Sequence, residues 1–123
     1  MTNERLRTRI KERLAFFTEF RLTLYRRAGF TNHVGKVQWR IDLKKMLVKL
    51  RDGLRDTVFL REIWENLKTI AGPNAHLCNI ETLALQYDVS DEQFRQMHIY
   101  LVNKLTAEIN KETENLAKLE KRF

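Results

Sequence analysis

A chain of 123 residues, 43% apolar and 32% charged, is long enough to bury a core as a single domain over 1–123 and too apolar to stay disordered. One proline, four glycines and one cysteine exclude a collagen-like repeat and an internal disulfide framework. The net charge of +7 is uneven: residues 1–56 hold 15 Lys/Arg against 6 Asp/Glu, residues 57–90 hold 2 against 4, and residues 91–123 hold 6 of each.

The first helical segment, Thr2–Gly29, carries Leu6, Ile10, Leu14, Phe17, Phe20 and Leu24 at steps of three and four, the period of one helix face. Thr2 or Asn3 suits its start, and Gly29 its end. Phe30 to Gly35 reads as a loop. The second segment, Lys36–Asp56, places Trp39, Leu43, Met46, Leu47, Leu50 and Leu54 on one stripe, and Asp52-Gly53 predicts a break before Thr57. Val58–Ala71 repeats the pattern with Leu60, Ile63, Trp64, Leu67 and Ile70, stopped by Gly72-Pro73-Asn74. A short helix over Ile80–Tyr87 follows. Ser90 with Gln93 three residues on is a capping box, with Asp91 and Glu92 where the helix dipole favours acids. The last helix then runs from Asp91 almost to Phe123, along Phe94, Met97, Leu101, Leu105 and Ile109. A polar gap at Asn110–Glu114 implies that its final turns fray, leave the core or pack on another copy. The expected fold is all-α, a bundle of about five helices with a long C-terminal one.

The basic half is where function concentrates. Arg5, Arg9 and Arg13 stand four apart on the first helix, where like charges repel by ~0.2–0.5 kcal/mol per pair. An anionic partner turns that repulsion into attraction and releases counterions. On the second segment Arg40, Lys44, Arg51 and Arg55 fall within about 60° of arc over ~22 Å, a ridge fit for several phosphates. Arg26, Arg27 and Lys36 surround the intervening loop, where Phe30 and His33 either close the helix end or stack on an unpaired base. The alternative for all ten cations is a solvated face that confers solubility.

Residues 80–97 resemble a helix-turn-helix: Leu83-Ala84-Leu85-Gln86-Tyr87, a tight Asp88-Val89 turn, then a capped helix with Phe94 and Met97 inward. Its groove-reading end would present Asp91, Glu92 and Gln93, and two carboxylates there oppose a DNA backbone. Gln93 and Arg95 would be the base-reading residues. No catalytic signature is found: no phosphate-binding glycine loop, no HExxH and no GxSxG. His76 and Cys78, with His33 and His98 far off in sequence, fall short of a structural zinc set. Neither enzyme activity, metal nor cofactor is expected. The charged stretch Glu4–Arg13 lacks the apolar run of a signal peptide, and a lone cysteine fits a reducing compartment, so a cytoplasmic location is expected. The amphipathic faces are needed for packing, which leaves none for a membrane.

In size, helical make-up, charge and lack of catalytic residues the chain is similar to the small helical subunit of CRISPR effector complexes, proteins of antiviral defence. In type I systems that subunit can arise as the C-terminal part of a larger one, from an internal start. The resemblance implies copies stacked along a guide RNA–DNA duplex in a ribonucleoprotein, with the basic face holding backbone or the displaced strand and base pairing reading the sequence. Arg40, Lys44, Arg51 and Arg55 would then be the backbone contacts, with Arg5, Arg9 and Arg13 next. Two other readings stay open: a helix-turn-helix regulator, dimeric through the last helix, and an adaptor whose basic helices dock an acidic protein.

Overall fold

The structure, a computed structural model, describes residues 3–27, 33–72 and 90–121. The chain is all-α, with four helices among those residues: α1 (Asn3–Arg27), α2 (His33–Asp52), α3 (Thr57–Ala71) and α4 (Asp91–Glu120). The helix expected over Ile80–Tyr87, which would make five, lies outside the described residues. Two compact units divide the chain, Met1–Arg26 with Val102–Phe123, and Arg27–Leu101. No described helix is long and apolar enough to cross a membrane.

In the first unit α1 buries Ile10, Phe17, Phe20 and Leu24, and α4 buries Leu105 and Leu119. Each such side chain contributes ~1.5–3 kcal/mol on leaving water. Phe16 is half-buried and sets its ring edge-on to Phe17 and Phe20, with centroids 5.6 and 6.1 Å apart. The stripe begins one turn later than its periodicity implies, because Leu6 is exposed. Three polar links fix the two helices as antiparallel. Arg7 pairs with Glu120 at 3.4 Å, Arg13 with Glu108 and Glu112 at 3.8 Å each, and Arg21 donates to Thr106 Oγ1 at 3.1 Å. The polar gap in α4 is thereby explained. Glu112 is buried beneath Arg13, whose guanidinium also lies 4.9 Å from the Phe17 ring centroid. The last turns do not leave the packed face: Leu119 is buried and the helix reaches Glu120.

In the second unit α2 starts at His33, inside the stretch that reads as a loop. Gly35 and Trp39 are both buried one turn apart, so burial outweighs glycine's weak helix propensity. The stripe continues through Leu43, Leu47 and Leu50. At the expected break Gly53 and Leu54 donate backbone N–H groups to the Lys49 carbonyl at 2.8 and 3.1 Å. A Cβ on Gly53 would lie 2.8 Å from that same oxygen, so a larger residue would force the turn open. Asp56 caps α3 by accepting from the Phe59 N–H at 3.1 Å. α3 buries Phe59, Leu60, Ile63, Trp64, Leu67 and Ala71, and ends at Gly72, whose φ of 80° no L side chain adopts readily.

The first turn of α4 closes this unit. Ser90 and Gln93 form the expected reciprocal capping box: Ser90 N–H donates to Gln93 Oε1 at 3.0 Å, and Gln93 N–H to Ser90 Oγ at 3.1 Å. Gln93 Nε2 also donates to the Ala71 carbonyl at the end of α3, at 3.1 Å. Lys36 of α2 binds Asp91, and Trp39 meets Phe94 edge-on at 5.1 Å between centroids. His98 stacks on Phe94 at 6.5 Å, and its Nδ1 is buried with no hydrogen-bond partner among the described residues.

Ser90→Ala should cost about 1 kcal/mol in urea unfolding, the usual loss of an N-cap. Gln93→Ala should cost more, since it also strips the Ala71 carbonyl of its donor. Burial holds the His98 imidazole below its ordinary pKa of 6.5, so the native state stays neutral where the unfolded chain takes up a proton. That contribution is complete above pH 6.5 and is lost as pH falls towards the native pKa. The melting temperature should therefore decline below pH 6.5, and His98→Gln should flatten that part of the profile.

Candidate nucleic-acid interface

Helix geometry and packing sort the ten candidate cations into three groups. Arg5, Arg9 and Arg26 are exposed on α1, and Lys44 is exposed on α2. Arg13, Lys36 and Arg51 are engaged by carboxylates. The Arg13 side chain keeps only 11% of its surface, between Glu108 and Glu112, and Lys36 binds Asp91. Arg51 forks onto Asp52 through Nε at 2.9 Å and a terminal nitrogen at 3.3 Å. Hydrogen bonding within that pair pulls the Asp52 carboxyl below its usual range and holds the Arg51 guanidinium more firmly protonated. The remaining three differ. Arg40 is half-buried, Arg27 is the last residue of α1 with its side chain outside the described ones, and Arg55 lies beyond the end of α2.

The expected ridge of Arg40, Lys44, Arg51 and Arg55 is kept by its first three members, which share about 40° of arc on α2, and not by the fourth. α2 stops at Asp52, so Arg55 leaves the helical register. At 100° per residue Leu47 stands about 20° outside the arc of the other three, on the Arg40 side, and Leu47 is fully buried. That arc borders the core. The exposed face is turned away from it and carries Ile41, Lys44, Lys45 and Lys49. The three lysines form no ion pair among the described residues, and the nearby Asp42 and Asp52 accept from Gln38 and Arg51. Lys45 and Lys49 are the residues that charge spacing alone overlooks. The signal was available in the phase of the apolar stripe: Lys45 stands opposite the mean direction of Trp39, Leu43, Leu47 and Leu50.

The first turn of α4, the end that a helix-turn-helix would offer to a groove, is tied to α2 and α3 through two of its side chains. Asp91 holds Lys36, Gln93 is committed to Ser90 and Ala71, and Arg95 binds Glu92. Gln93 would have to give up the Ala71 carbonyl to read a base, whereas Arg95 is exposed and pairs with Glu92 of its own helix. The first helix of that pattern, at 80–87, lies outside the described residues, as do Phe30, His76 and Cys78. His33 is the first residue of α2. Among the described residues no group of three His, Cys, Asp or Glu could hold a metal ion.

Arg55 is exposed and sits at φ 55°, a left-handed conformation costing roughly 1–2 kcal/mol in a non-glycine residue. Arg55→Gly should raise stability by about 0.5–1 kcal/mol in denaturant unfolding. If the cation meets a phosphate, the same substitution should reduce the salt dependence of nucleic-acid binding by about one contact.

No protein-family model, no curated protein and no solved structure matches this chain.

Proposed function

We propose that the chain is a non-enzymatic subunit that grips nucleic-acid backbone, without reading sequence, inside a larger ribonucleoprotein. The observation that carries this reading is the sorting of cations. Acids of the chain take up Arg7, Arg13, Lys36 and Arg51, while Lys44, Lys45 and Lys49 share one exposed face of α2 with no carboxylate paired to them among the described residues. Lys45 and Lys49, four apart, repel one another by ~0.2–0.5 kcal/mol, and a polyphosphate relieves that cost. Arg5, Arg9 and Arg26 extend the charge on α1.

The resemblance to the small subunit of CRISPR effector complexes gives this reading its concrete form: several copies along a guide RNA–DNA duplex or a displaced strand, in the cytoplasm, with other protein subunits alongside. Base pairing would supply specificity, which suits a surface of lysines that contact charge and not base edges. The helix-turn-helix reading has less support because Gln93 is committed to the end of α3 and two carboxylates, Asp91 and Glu92, stand exposed at the groove-reading end.

The test is binding measured by fluorescence anisotropy across a salt series, with duplex DNA, single-stranded DNA, RNA and an RNA–DNA hybrid. The wild-type protein should show a steep slope of log K against log salt that is alike for scrambled sequences. Reversing Lys44, Lys45 and Lys49 to Glu should flatten the duplex slope by at least about 2.7, or 0.9 per contact, and leave the melting temperature unchanged. Unaltered affinity in that variant would sink the proposal.

A further inference from the structure

Among the described residues the aromatic rings are buried or half-buried, with one exception. Tyr25, in the last turns of α1, is 49% exposed. Its ring is held in place. The Arg21 guanidinium lies 5.7 Å from the ring centroid, within cation–π range, and Arg21 is itself fixed by its hydrogen bond to Thr106 Oγ1 at 3.1 Å. Arg26, the next residue, is exposed, and Leu22, one turn back, is 45% exposed. This end of α1 thus presents a flat ring with one face under a guanidinium, an apolar shoulder and a cation.

We infer that Tyr25 is a stacking platform for an unpaired base, with Arg26 on the adjoining phosphate, so that this end of α1 takes a single-stranded polynucleotide. The inference rests on the backbone-binding reading and adds to it a residue and a strand state. The chemistry is selective. A base in a duplex is already stacked on both sides and cannot offer its face, whereas an unpaired base can. Fixing the ring beforehand through Thr106 and Arg21 removes part of the ordering cost of binding. An acidic peptide would satisfy Arg26 and leave the ring face without use, which is why a strand fits better than a protein partner.

The experiment compares an oligothymidylate with a duplex of the same length, at one salt concentration, on wild-type protein and on Tyr25→Phe, Tyr25→Leu and Tyr25→Ala. Melting temperatures establish that each variant is folded, and Leu keeps the apolar bulk while removing the flat ring. Stacking predicts that Phe retains single-strand affinity, that Leu and Ala each lose about five-fold or more, and that duplex affinity changes by less than about two-fold. Equal losses on both probes, no loss on either, or a Phe variant as weak as Ala would overturn the inference and leave the backbone reading standing. Wild-type protein that binds neither probe would overturn both.

Discussion

The second unit depends on the first turn of α4. Within four residues Asp91 takes Lys36 from α2, Gln93 takes the last carbonyl of α3, and Phe94 meets Trp39. Gln93 is the centre of this arrangement, because one side chain both completes the cap of its own helix and ends another. A helix start normally leaves its N–H groups for solvent or a ligand. Here two side chains of the turn, Asp91 and Gln93, instead bind α2 and α3, while Ser90, Asp91 and Glu92 remain exposed. That arrangement engages Gln93, one of the two side chains that a helix-turn-helix reading would assign to bases.

The same logic governs the arginines and lysines. Spacing along a helix shows which charges share a face, but an acid on a neighbouring helix decides whether that face is open. Arg13 illustrates the difference. It reads in the sequence as the third member of a basic row, yet two glutamates of α4, about 100 residues on, make it an internal residue. Breaking such a partly buried pair on one side leaves the other charge without compensation, which is why these pairs persist even where their net contribution is small.

Much of the architecture is legible in the residues themselves. The apolar periods of α3 and of the first half of α4, the stop at Gly72 and the Ser90–Gln93 cap are local features, set by side chains within a few residues of each other, and the helices follow them. The departures share a cause in tertiary contacts. Gly35 is helical because its turn is buried, Leu6 is exposed although its phase is right, and the Asn110–Glu114 gap is polar because Arg13 lies across it. The candidate interface was less legible for the same reason. Charge density selects α1 and α2, and the phase of the Trp39–Leu50 stripe, more than the spacing of the arginines, marks Lys45 and Lys49 as exposed.

The Arg13 clamp also fixes alignment. Leucine and phenylalanine stripes are tolerant of sliding, since a shift of α4 by one turn still sets apolar residues against apolar ones. Charges are not tolerant. Lys104 stands one turn before Glu108, so a slip in one direction would set a lysine against Arg13, and a slip in the other would strand Glu108 and bring up Leu116. The observed registry of the two helices is therefore the one that sets both glutamates against Arg13, in a stretch whose hydropathy alone reads as a flaw.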